Sequence, residues 1–427
     1  MGSVDNSRNK KNLDCKNIPE EKNVEIHITP NDEENMDFEI VTKVKKNNKN
    51  NKSKDIFKNI KSNYILKIIF NNLPKKKSLE LLIYNKSIQK RLNISINDYK
   101  EYTKIEIELI PIKNKLGKFI NIKKEEEKYY HIYFNDNEKE VERSYFTYED
   151  DVKTIKIIID NEIKSLARLF SDCYIIQNIK FIKFNINDIN NMSGMFWRCS
   201  TLHNLDLSTF KTGKVIDMRS MFFYCSSLEE LNISSFNTEN VTNMEEMFEQ
   251  CVSLKKLDLS NFNTKNVKTM RYMFSHMTSL KELNLSNFNT TNVEYMNHMF
   301  YQCSSLEKLN LSNFNTTNVE YMNHMFYECK SLKELNLSTF DTNNVKKMNK
   351  MFSGCKSLKE LDLSNFGGDS IEEMSYMFIG CISLKKLNLS NFINKKMTDI
   401  ECMFYNCLSL EELDISKFNK KNTKNAR

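Results

Sequence analysis

Two stretches of this chain are the same nineteen residues: LNLSNFNTTNVEYMNHMFY runs from Leu283 to Tyr301 and again from Leu309 to Tyr327, one step of 26 apart. The step continues on both sides. Leu202, Leu228, Leu254, Leu280, Leu306, Leu332, Leu358, Leu384 and Leu410 keep it, as do ten phenylalanines from Phe184 to Phe418. The shared pattern, LxxLxLSxFxTxxVxxMxxMFxxCxS, is the mark of a stacked-repeat architecture. Leu169, Phe170 and Cys173 belong to a degenerate opening coil.

One coil carries two periods. Leu283 and Leu285 alternate inward, which predicts a short strand closed by Phe288. Val293, Met296, Met299, Phe300 and Cys303 then follow at steps of three, three, one and three, which predicts one face of a short helix. Thr291 and Glu294, repeated as Thr317 and Glu320, are placed to cap its start. A single coil buries too little apolar surface to offset its ordering entropy, so neighbouring coils must stack. The predicted fold class is α/β: a leucine-rich-repeat solenoid of parallel strands stacked with short helices, spanning 161–419 in about ten coils.

LDLSNFNTKNVKTMRYMF, from Leu257 to Phe274, with its sister coils resembles the BspA-like leucine-rich repeats of bacterial, mycoplasma and protist surface or interaction proteins. The resemblance covers about Ile163 to Phe418 and is carried by LxLSxF, NV, MxxMF and Cys in combination. It implies a right-handed parallel β-solenoid that binds other macromolecules or cells. Surface members carry secretion signals or anchors. Here the opening MGSVDNSRNKKNLDCKN has no apolar signal core, and no stretch approaches the roughly 18 apolar residues of a spanning helix. A cytoplasmic protein without a membrane span is expected, a surface location resting on resemblance alone.

Outside the array the text changes. Residues 1–59 are Lys/Asn-rich and read as a disordered tail. Residues 60–160 read as a small α+β domain capping the array: a helical hairpin with Ile65, Ile68 and Ile69 on one face, then strands in IEIELIPI, YYHIYF and TIKIIID. Residues 420–427 form a short C-terminal tail.

The net charge of +7 comes from 63 basic and 56 acidic residues mixed along the chain, which does not indicate nucleic-acid binding. Nine of eleven cysteines hold the 26-residue step, and Met277 takes the place of one. A site that accepts a thioether is a buried apolar site, so structural thiols are expected instead of disulfides or metal ligands. His298 and His324 lie in the duplicated block, where copying accounts for the pair. No catalytic, cofactor or metal motif is present, and an enzyme is not expected.

The expected function is a protein-interaction scaffold. Outward positions on the predicted helix side offer Tyr272, Tyr295, Tyr321 and Tyr376 as a contact surface for an unnamed protein partner. Two other readings stay open. YILKIIFNNL at Tyr64–Leu73 with LELLIYNKSIQKRL faintly resembles an F-box, which implies a ubiquitin-ligase substrate receptor, and the family resemblance implies a cell-surface adhesin. At the C-terminal edge, Leu413, Ile415 and Phe418 have no following coil to cover them. Either weak self-association through that edge or fraying of the last strand would follow.

Overall fold

The computed structural model describes residues 25–31, 35–41, 60–72, 85–94, 103–160, 163–186, 188–390, 400–411 and 413. The chain divides between Tyr99 and Lys100 into two units. In the first, β1 (Glu25–Asn31) and β2 (Asn35–Val41) pair antiparallel, Glu25 opposite Val41. The segment expected as a tail over 1–59 thus includes a hairpin, and its other residues lie outside the described ones. The same unit holds α1 (Asn63–Asn72) and α2 (Lys86–Leu92). Asn85 caps α2 by accepting the Ile88 amide at 3.1 Å, and Arg91 Nη2 donates to the Ile60 carbonyl at 2.5 Å.

The second unit opens with β3 (Ile105–Pro111), β4 (Tyr130–Phe134), β5 (Ile155–Ile159) and β6 (Ile176–Phe184), an antiparallel sheet in the order β4-β5-β3-β6. Every second residue of β3 and β5 points inward, and Ile105, Ile107, Ile155 and Ile157 are wholly buried. They share one core with Phe170 and Cys173 of the opening coil. The segment 60–160 is therefore divided, its helices in the first unit and its strands joined to the array. The join is β6, whose Phe184 stacks on Phe210 of the next coil at 3.9 Å.

Each following coil contributes at most three residues to a parallel strand. These are β7 (Asn204–Asp206) with β8 (Glu230–Asn232), β9 (Glu282–Asn284) with β10 (Lys308–Asn310), and β11 (Glu360–Asp362) with β12 (Lys386–Asn388). The second half of the coil corrects the sequence reading: Val293 to Cys303 is a run of turns and not a helix. Its backbone explains why. Amides of Met296, His298, Phe300 and Gln302 donate across to carbonyls of Tyr321, Asn323, Met325 and Tyr327 in the next coil. Amides of Met299, Tyr301 and Cys303 donate back three residues, to Met296, His298 and Phe300. A helix would send all of them back four residues within one coil, whereas this arc shares them between turn and neighbour. The alternation needs two left-handed residues per coil, His298 (φ 61) and Gln302 (φ 54) here, and Gly354 and Gly380 at the second position further on. The expected capping box does not form either, since the Glu294 amide donates to the Lys268 carbonyl.

The repeat's polar residues bind coil to coil. Thr290 Oγ1 donates to the Asn315 carbonyl at 2.7 Å and accepts the Asn315 amide at 2.8 Å. Thr238, Thr264, Thr316 and Thr342 do likewise, so these hydroxyls are buried with both roles filled. Cys303 Sγ donates to the Phe274 carbonyl at 3.0 Å, and the other in-step thiols from Cys199 to Cys407 repeat that bond. Leu283, Leu285, Phe288, Val293, Met296, Met299, Phe300 and Cys303 are all buried. At the C-terminal end Leu413 is half-buried against the core, while Ile415, Phe418 and the tail 420–427 lie outside the described residues.

Two predictions follow from this core. Phe288→Ala removes a ring that is 1% exposed and should lower unfolding free energy by about 3–5 kcal/mol, as read from urea melts. An unchanged midpoint would place the ring outside the core. Eight in-step cysteines are buried and free, and burial pushes the Cys251, Cys303 and Cys355 thiols up to about 12. They should resist alkylation in the native protein and react together on unfolding, counted by mass spectrometry; bridges between consecutive coils would contradict this.

Candidate interaction surface on the turn arc

Because the arc repeats its backbone from coil to coil, a residue at one position stands beside its equivalent 26 residues on. Parallel bridges join Ser165, Asn191, Asp217, Asn243, Thr269, Tyr295, Tyr321, Lys347 and Glu373 without a break. Tyr295 and Tyr321 are consecutive there, their rings stacked at 5.5 Å, and Tyr295 is 38% exposed. Tyr272 and Tyr376 belong to a different column, three positions further along the coil, with His298, His324 and Lys350 between them. The four tyrosines expected at related positions therefore form one stacked pair and two separated rings. Tyr376 takes the Lys350 ammonium 5.4 Å from its ring centre.

The continuous feature is one that sequence reasoning missed. Tyr272 stacks on His298 at 4.3 Å and His298 on His324 at 4.5 Å. Tyr301 stacks on Tyr327 at 4.8 Å in the adjoining column, and His298 meets Tyr301 at 5.4 Å across the two. His276 closes the N-terminal side against Tyr301 at 5.2 Å. These six half-buried rings form a ridge over three coils. A helix reading hides it, because residues 298 and 301 would then be one turn apart on a solvated face. Rings three residues apart within tight turns, repeated by stacking, are what bring them together.

The ridge is held uncharged. Burial, with the neighbouring His324 and Arg271 adding repulsion, pushes the His298 imidazole down to about 3. Burial and then Lys350 push His324 down to about 4. Asn297 Nδ2 lies 3.2 Å from His298 Nδ1, and Asn323 Nδ2 lies 3.3 Å from His324 Nδ1. With both rings neutral the amide donates and Nδ1 accepts. The Tyr301 phenol is raised by burial and by Tyr327 beside it. On the N-terminal side of the ridge, burial and Glu246 raise the Glu249 carboxyl to about 7. Beyond that acidic step a second aromatic patch begins, Trp197 stacked on Phe223 at 5.7 Å with Arg168 and Arg198 over the indole. An open groove of about 1160 Å³, reaching from Lys164 to Glu320 past Lys268 and Glu294, runs beside the Tyr295–Tyr321 column. Among the described residues no group of three His, Cys, Asp or Glu is arranged to hold a metal ion, and no helix is long and apolar enough to cross a membrane.

The family profile described as "Mycoplasma protein of unknown function, DUF285" matches residues 164–282, 251–359 and 332–427. No curated protein matches the chain. Among solved structures, it is similar to a leucine-rich-repeat protein of Leptospira interrogans, at 17% identity over 49% of this chain and 51% of that one, with a TM-score of 0.23. It is also similar to the TLR13–ssRNA13 complex, at 18% identity over 52% of this chain and 37% of that one, with a TM-score of 0.17. The chain thus spans about half the length, or less, of the solved structures it matches.

The histidine shifts set a pH dependence. Both imidazoles are depressed in the fold below their ordinary value of 6.5, so at acid pH the unfolded chain binds more protons. Their contribution is unchanged above about pH 6.5 and turns destabilising as pH falls from there toward 4 and 3. His298→Gln with His324→Gln should flatten the fall of the melting midpoint over that interval. A parallel fall in the variant would show that the rings do not titrate as described.

Proposed function

This chain belongs to the family of Mycoplasma proteins of unknown function DUF285, and we propose that its solenoid is a non-enzymatic scaffold that binds a protein partner through the Tyr-His ridge. The observation that carries the reading is the stack of six uncharged rings, Tyr272, His276, His298, Tyr301, His324 and Tyr327, over consecutive coils. Tyrosine supplies large contact area at small entropic cost and dominates protein interfaces. Stacking restrains these side chains before a partner arrives, so little rotamer freedom remains to be lost on binding. The neighbouring Tyr295–Tyr321 pair extends the same face.

A catalytic role gains nothing from the site. The buried thiols are raised and therefore poor nucleophiles, and His298 is held well below the range of a base at neutral pH. The ubiquitin-ligase reading rests on residues 64–92, and the two described helices there carry no further feature in its favour. The BspA-like resemblance falls on nearly the same residues as the family match, and the interaction role it implies is the one proposed.

The test is proximity labelling in the native cell with the full chain, compared with Tyr301→Ala/Tyr327→Ala. These substitutions should remove a defined set of labelled proteins and weaken the isolated partner by roughly 2 kcal/mol or more, the scale of an aromatic hot spot. An unchanged labelled set from a variant that melts like the parent would refute the ridge as the contact surface.

A further inference from the structure

Strand pairing in the array stops at Lys256–Asp258, which lies between β8 and β9 and pairs with neither. The ring spacing at the same coil is wider by only a few tenths of an ångström. Phe236 to Phe262 is 6.4 Å and Phe262 to Phe288 is 6.5 Å, against 6.2 Å for Phe210 to Phe236 and for Phe314 to Phe340. In the arc column Phe248 to Phe274 is 5.9 Å, while the steps on either side are 5.5 and 5.6 Å. This coil ends in Met277, which has no S–H to donate to the Phe248 carbonyl as each in-step thiol donates to its own. A second interruption of the strands falls at Glu334–Asn336, where the stacks measure 6.2 and 6.3 Å.

Across the same step Lys255 reaches Glu229 at 3.6 Å, but the adjacent column differs. Lys308 reaches Glu282 at 2.6 Å, and Lys386 reaches Glu360 at 3.1 Å, in the column that faces solvent from these strands. Lys256 stands in that column between Glu230 and Glu282, yet it has no ion-pair partner among the described residues. Glu282 is held by Lys308 instead, and Lys281 adds a second ammonium on the next coil. Over the faces of this coil and of the paired β9 and β10 lies an open concavity of about 800 Å³, lined by Leu257, Leu283 and Leu309 with four lysines, Lys256 and Lys281 among them, against two carboxylates, Asp258 and Glu282. Leu257 and Leu309 are only half-buried and keep apolar surface open to this concavity, while Leu283 between them is buried.

We propose that this opening docks an acidic peptide segment of a partner, which seats a large apolar side chain on the leucines and sets its carboxylates against Lys256 and Lys281. The leucines supply the apolar anchor and the two ammonium groups select the sign of the charge around it. The site is on the strand side of the coils, so it is separate from the Tyr-His ridge and does not depend on it.

The test uses the full chain and a fluorescein-labelled hexapeptide, Glu-Asp-Leu-Phe-Asp-Glu, alongside an analogue with lysine at each acidic position. Fluorescence anisotropy should show saturable binding of the acidic peptide alone, weakening as salt is raised. Lys256→Glu and Lys281→Glu should each weaken it about tenfold or more, the scale for reversing a charge beside a buried anchor. Leu257→Ala should weaken it without loss of the fold, checked by an unaltered circular dichroism melt, and Tyr301→Ala should leave it unchanged. Equal binding of the two peptides, indifference to both lysine reversals, or no saturable binding would overturn the proposal.

Discussion

The array depends on how the arc divides its backbone amides. From His298 to Cys303 they alternate, one donating to the next coil and the next closing a turn within its own. A buried amide without an acceptor costs about 1–3 kcal/mol, so this division must hold at every coil. It holds only if each coil brings the same atoms to the same height. That is a physical reason for a period of 26 that never slips between Leu202 and Leu410. It also accounts for paired left-handed residues four apart, from Arg168 and Asp172 through Cys402 and Asn406. Most of them are not glycine, and the coil-to-coil bonds hold them in a backbone region that L-residues otherwise avoid.

The side chains repeat the same logic. Threonine after FN is kept because its hydroxyl fills a donor and an acceptor role toward the next coil, and valine could do neither. Cysteine is kept because a small, apolar thiol can be buried and still tie one carbonyl of the coil before it. Met277 shows that apolar volume alone is tolerated, with a wider step to the preceding coil. Repetition also multiplies whatever an outward position carries, since two histidines and two tyrosines copied onto adjacent coils become stacks without further design.

The two sides of a coil differ in how firmly they are joined. On the arc, bridges run unbroken from Ser165 to Glu373, with rings 5.5 to 5.9 Å apart from Phe196 to Phe404. On the strand side pairing comes in twos, and rings from Phe210 to Phe288 stand 6.2 to 6.5 Å apart. Three residues per strand give too few ladder bonds to hold the coils together when the arc sets a shorter spacing. The strand side therefore parts locally, and side-chain ion pairs such as Lys255–Glu229 and Lys333–Glu307 bridge it where signs alternate.

The sequence by itself determined the repeat, its period, and which residues face inward: Leu283, Leu285, Phe288, Val293, Met296, Met299, Phe300 and Cys303 are legible because burial at a fixed step leaves only apolar groups there. The form of the second half of the coil was not legible. Steps of three, three, one and three fit a helix as well as a chain of three-residue turns, and only the neighbour's carbonyls decide between them. The contact surface shared that ambiguity: Tyr272, Tyr295, Tyr321 and Tyr376 were visible as outward residues, but their separation into two columns was not. Tyr301, Tyr327 and the histidines became one ridge through stacking alone, because contacts between residues 26 apart in the chain exist only once the coils lie side by side.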